Sequence, residues 1–136
     1  MNALFKGATV LIISSLVNLQ AFAHGEDKPG PNGGYIRMPG GFHTELVQTN
    51  NQKFKVYLLD INWQNPTVKD SSIEATVSFK SENTAASCKP EDNFFSCELP
   101  KGKSLKSAKE ISLKPVREKM AGILVKYDLP LRFSAH

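Results

Sequence analysis

From Ile73 to Lys80 the chain alternates without interruption. Ile73, Ala75, Val77 and Phe79 are apolar, while Glu74, Thr76, Ser78 and Lys80 are polar or charged. A period of two gives one dry face and one wet face, which a half-buried β-strand needs and a helix cannot use. The same reading applies to Phe54-Lys55-Val56-Tyr57-Leu58-Leu59-Asp60, where Phe54, Val56 and Leu58 share a face. It applies again to Glu110-Ile111-Ser112-Leu113-Lys114 and to Ile123-Leu124-Val125-Lys126-Tyr127. Tyr35-Ile36-Arg37-Met38, Phe42-His43-Thr44-Glu45-Leu46-Val47-Gln48 and Phe94-Phe95-Ser96-Cys97-Glu98-Leu99 complete a set of about seven short strands. Pro39-Gly40-Gly41 and Pro100-Lys101-Gly102-Lys103 are turn signals. Asn50-Asn51-Gln52 suits a hairpin joining the strands on either side, because Asn tolerates positive φ. Residues 105–111 suit a helical turn, and no stretch reads as a long helix. The expectation is an all-β chain, a small antiparallel β-sandwich of immunoglobulin-like shape with an N-terminal Pro/Gly arm. A small open barrel is the alternative.

Residues 1–23 read as a secretory signal peptide. Lys6 supplies the positive start, residues 7–17 form an almost uncharged apolar core, and Ala21-Phe22-Ala23 fits the small-x-small cleavage pattern. That core is shorter than the ~20 residues that span a bilayer, and no second apolar run follows, so no transmembrane segment is expected after signal removal. No Cys follows the cleavage site, so a lipid anchor of the bacterial lipoprotein kind is not indicated. The remaining residues, 24–136, form a single domain by length. The chain is 22% charged and 40% hydrophobic, which excludes bulk disorder and a polytopic membrane protein. The net charge of +4 comes from scattered cations, a distribution that speaks against nucleic-acid binding. The expected compartment is the periplasm. From His24 to Gly34 the chain holds two Pro and four Gly, which prevents a helix and makes an extended or turning arm.

Cys88 and Cys97 are the only two cysteines. In an exported chain an even count favours a disulfide, and closing so short a loop contributes roughly 2–3 kcal/mol. The competing thiolate metal pair would place its Cys closer together and needs a nearby His, which is missing.

Signal removal would make His24 the first residue. A terminal His offers an α-amine of pKa about 7.7–8.0 and an imidazole nitrogen on one residue, so amine and Nδ1 can chelate a metal near neutral pH. A second imidazole would complete a three-nitrogen, T-shaped site of the kind that suits Cu(II). His43 is the His that lies within an expected strand. Met38 lies between the two, and a thioether there would favour Cu(I). Glu45, two residues past His43 and so on the same strand face, is either an oxygen ligand or an acceptor that orients the imidazole. Read plainly, His24 is a solvated chain end, His43 an ordinary strand residue, Met38 core filler and Glu45 a solvated charge. The third mature position is Glu26 rather than His, and His136 reads as a chain end.

Gly33-Gly34, then Phe42-His43-Thr44-Glu45-Leu46-Val47, then Val56-Tyr57-Leu58-Leu59-Asp60, resembles small exported domains linked to bacterial copper and heavy-metal efflux and resistance. Those domains often carry a His-Gly-Gly opening, an aromatic-His-x-Glu-Leu-Val strand and a Val-Tyr-Leu-x-Asp strand. The likeness covers residues 24–60, and one departure matters: Asn32 stands where the pattern has a His before Gly33-Gly34. His24-Gly25 is the available substitute. The resemblance implies periplasmic metal handling by His43 and its neighbours. Gly-x-Ser-x-Gly, His-Glu-x-x-His and P-loop patterns are absent, so the expected role is binding rather than catalysis. The function expected is metal buffering or delivery, with a copper ion as cofactor and an envelope efflux or chaperone protein as partner. The alternative is a metal-free periplasmic interaction module of an envelope complex.

Overall fold

The structure, a computed structural model, describes residues 27–133; the expected signal peptide, His24 and His136 lie outside the described residues. The alternating segments become strands. The elements in chain order are β1 (Tyr35–Arg37), β2 (His43–Gln48), β3 (Lys53–Leu59), β4 (Ser72–Ser78), β5 (Asn83–Glu91), β6 (Phe94–Glu98), a 3-10 turn (Leu105–Ser107), β7 (Glu110–Arg117), β8 (Met120–Ala121) and β9 (Val125–Asp128). All pairings are antiparallel. The nine strands form one sheet in the order β1-β2-β3-β6-β5-β4-β7-β8, with β9 also on β7. No helix among the described residues is long and apolar enough to cross a membrane.

The β2–β3 hairpin forms in the expected place. Asn50 Oδ1 accepts from the Gln52 and Lys53 N–H groups and shapes its turn. The alternating sets of β3, β4 and β7 point inward: Phe54, Val56, Leu58, Ala75, Val77, Ile111 and Leu113 form the core with Phe42, Leu46, Phe95, Leu99, Leu105, Val125 and Tyr127. Two strands escaped the alternation reading. β8 has only two residues, and β5 has no buried residue at all.

β5 is also where the sheet turns. Its first half pairs with β4, down to Ala75↔Ala86, and its second half pairs with β6 from Ser87↔Glu98 onward. Cys88 and Cys97 are register partners in that second pairing and are joined by a disulfide. The sheet therefore curls, and its far strands come together. Arg37 of β1 donates from Nε to the Lys126 carbonyl of β9 at 2.8 Å and from Nη1 to its neighbour Ile36 at 2.9 Å. Its guanidinium lies 4.6 Å from the Tyr127 ring centroid. Tyr127 Oη meets Thr44 Oγ1, and Tyr35 stacks on Phe133 at 4.3 Å.

Candidate functional site

β2 is buried on both faces over its first four residues, which a strand with one wet face would not be. Side chains alternate along a strand, so Thr44 and Leu46 face the core and His43 and Glu45 face the other way. Something outside the sheet must cover the second pair, and two loops do so.

The segment leading into β1, residues 30–34, is the first cover. Gly30 N–H donates to the Gly34 carbonyl and Gly33 N–H to the Gly30 carbonyl, closing a tight turn with Gly33 at φ 79°. That turn sits on Glu45. Its carboxylate accepts from Asn32 N–H at 2.8 Å, Asn32 Nδ2 at 2.9 Å and Gly34 N–H at 2.8 Å, and it has no exposure to solvent. A buried carboxylate is tolerable when several donors meet it, and here they do. Glu45 is thus neither a solvated charge nor a bare oxygen donor: both oxygens accept from Asn32 or Gly34 of that turn. Tyr57, its register partner on β3, has its phenol pKa raised by burial first, and then by the negative charges of Glu45 and Asp92.

The loop after β3 is the second cover. Asp60 organises it. Oδ1 accepts from the Asn62 and Gln64 N–H groups, each at 2.9 Å, and Oδ2 accepts from Asn65 Nδ2 at 2.8 Å. The Gln64 N–H first, then the Asn65 amide, with help from Asn62 N–H and Arg117, hold this carboxyl below its ordinary value. The loop places Trp63 and Asn65 in the left-handed region, at φ 64° and 54°. Trp63 packs edge-to-face on the His43 ring, with centroids 5.9 Å apart.

His43 itself is 7% exposed. Its Nδ1 lies 3.2 Å from the Asp60 carbonyl oxygen. A carbonyl only accepts, so Nδ1 carries a proton, and in the neutral ring the lone pair sits on Nε2. Nε2 has no hydrogen-bond partner among the described residues. This is the arrangement in which a backbone carbonyl fixes the tautomer and aim of a metal-ligating imidazole.

Met38 is not core filler. The β1–β2 ladder ends at Arg37↔Thr44, so Met38 and His43 are the next residues along the two arms of that hairpin. Met38 is exposed and lines a shallow groove with Arg37, Pro39, Ile123 and Lys126. Among the described residues no group of three or more His, Cys, Asp and Glu converges. His43 and Glu45 come together on one face, and His24 lies outside the described residues.

Sequence reasoning marked Asn32 only as a departure from a pattern, and it missed the covering roles of Asp60 and Trp63. Their signal was present in the cluster Asp60-Ile61-Asn62-Trp63-Gln64-Asn65, rich in residues that cap their own backbone, directly after a strand. What the pattern could not show was which strand residue the loop would cover. Comparisons with family models, with curated proteins and with solved structures each found no match.

Proposed function

We propose that the protein is an exported, periplasmic metal-binding protein, with copper as its ion, that buffers or delivers the metal on an immunoglobulin-like β-sandwich scaffold. One observation carries the reading: the His43 imidazole is held by its Nδ1–H on a backbone carbonyl, leaving Nε2 with its lone pair and no partner among the described residues. His24, freed by signal removal, supplies its amine and Nδ1, and Met38 adds a soft contact from the neighbouring hairpin arm. Glu45 then serves as the anchor of the arm that carries His24. Asn32 and Gly34 are pinned two residues along the strand from His43, and His24 lies eight residues before Asn32. Eight residues reach at most about 28 Å, so tethering raises the local concentration of the terminal chelate at His43.

The likeness to exported efflux-linked domains supports the same reading. Asn32, at the position where those domains place a His, reaches the strand bearing His43 and donates to Glu45. The Cys88–Cys97 disulfide suits an oxidising compartment. In this proposal the role is binding rather than catalysis, and the partner is an envelope efflux or chaperone protein.

The test is a Cu(II) titration of protein beginning at His24 against protein carrying one extra N-terminal residue. The extension removes the amine-plus-Nδ1 chelate and is expected to weaken binding at least about tenfold. His43→Ala is expected to weaken it comparably. Equal affinity in all three forms overturns the site. A metal-free interaction module is the second reading, favoured by one observation: Met38, Met120, Ile123 and Leu124 are exposed, and the Pro39 carbonyl accepts from Ile123 N–H, tying the two segments together.

A further inference from the structure

We infer that Trp63 is a movable cover over His43, and that a ligand reaches Nε2 when residues 60–65 swing the indole aside. The inference rests on the reading of His43 as a ligand for its purpose, though the cover itself can be tested without any metal.

The loop is tied to the imidazole through one atom. The Asp60 carbonyl accepts both from Trp63 N–H, at 3.0 Å, and from His43 Nδ1, at 3.2 Å. The group that fixes the tautomer of the ring thus also fixes the backbone of the residue stacked against it. Beyond that point the loop is bonded mostly within itself and has few ties to the rest of the chain. Ile61, Asn62, Gln64 and Asn65 are exposed, Trp63 is half-buried, and none of them belongs to the core cluster. Its closed form depends on two constraints: the bonds inside the loop, from Asp60 N–H to the Gln64 carbonyl at 2.8 Å and onto the Asp60 carboxylate, and Arg117, which donates from Nη2 to the Asn65 carbonyl at 2.6 Å. Both constraints hold Trp63 and Asn65 at positive φ, a conformation disfavoured for a side chain as bulky as indole. Opening relieves that strain and leaves the β3 ladder intact, since the loop begins where β3 ends at Leu59. Segments with few buried contacts and exposed hydrogen bonds are the ones that open locally. A buried imidazole with an unpartnered nitrogen, under a strained and thinly attached aromatic cover, is a site closed by a flap.

Diethyl pyrocarbonate tests the cover directly. It transfers an ethoxycarbonyl group to an unprotonated imidazole nitrogen and releases carbon dioxide and ethanol. Peptide mass analysis separates His43 from His24 and His136. In the parent protein His43 should react slowly. Trp63→Gly removes the ring and suits the positive φ, so the loop keeps its path; His43 should then react about tenfold faster or more. Trp63→Phe keeps a ring in place and should restore the slow rate. Arg117→Met retains the indole but frees the Asn65 carbonyl, and should also speed the reaction, which covers the case in which the Gly variant does not fold. Unchanged His43 rates in the Gly and Met variants overturn the cover. Cu(II) addition separates the two readings. Protection of His43 by the metal, with quenching of the single tryptophan, supports both. A rate gain in Trp63→Gly without protection by Cu(II) leaves the cover standing and overturns the metal site.

Discussion

A carboxylate without solvent must be met by donors, and at Glu45 three donors come from a turn eleven to thirteen residues away in sequence. Glu45→Ala would leave the Gly34 N–H buried and unpaired and would release the turn at residues 30–34. Charge-assisted hydrogen bonds contribute about 1.5–3 kcal/mol each, partly offset by removing a buried charge, so a net loss of about 3 kcal/mol is expected in urea unfolding. At Gly34 and Gly40, neither of which has a positive φ, space decides which substitution matters. A Cβ on Gly34 would lie 2.5 Å from the Leu46 carbonyl oxygen, whereas one on Gly40 meets nothing within 4 Å. Gly34→Ala should therefore cost about 2 kcal/mol or more and loosen that turn, while Gly40→Ala stays within about 0.5 kcal/mol. Equal midpoints for the two variants would contradict the close packing of Gly34 on β2. None of this is legible at Glu45 in the sequence. The spacing from His43 shows a shared face, but a donor set made of turn N–H groups leaves no trace in residue type.

Among the elements, legibility follows burial. β3, β4 and β7 carry inward Phe, Val, Leu and Ile at alternate positions, and their alternation marked them. β5 reads Asn83-Thr84-Ala85-Ala86-Ser87-Cys88-Lys89-Pro90-Glu91, with no large apolar side chain, because its place at the turn of the sheet buries none. Its one strong sequence sign was Cys88, and the disulfide to Cys97 supplies a constraint that packing does not. Replacing both cysteines by Ser is expected to lower stability by about 2–3 kcal/mol, read from urea midpoints. The loop after β3 makes a different prediction. The Asp60 carboxyl pKa is lowered in the folded chain, so its contribution is present above the unfolded-state value and is lost as pH falls through the folded one. The loop should therefore loosen in acid, below about pH 4, with a step in the fluorescence of Trp63. Asp60→Asn keeps an oxygen acceptor but no titration, and its trace should lack that step. The same step in both proteins would remove Asp60 as the clasp.

At the scale of the whole molecule the question is what keeps a curled sheet from presenting its open edges. β1 has three residues and β9 four, too short to close the seam by a ladder of their own. Arg37 bridges it instead. One planar guanidinium serves a carbonyl on each side, Ile36 on β1 and Lys126 on β9, while its face lies over Tyr127. Tyr127 in turn reaches back to the Thr44 hydroxyl and carbonyl of β2, so the seam is crossed at two depths. Arg37→Ala should remove the outer crossing and leave the inner one. Deleting one charged donor group and its cation–π interaction at a partly exposed position is expected to cost about 2 kcal/mol. Arg37→Lys should recover little of it, because an ammonium lacks the fork that serves two carbonyls together. The uncovered carbonyls of β1 and β9 then become available to another chain. Self-association that rises with concentration, read by sedimentation velocity, is the second expected outcome for Arg37→Ala. A variant that stays monomeric at every concentration and unfolds at the parent midpoint would show that the inner Tyr127–Thr44 hydrogen bonds close the sheet unaided.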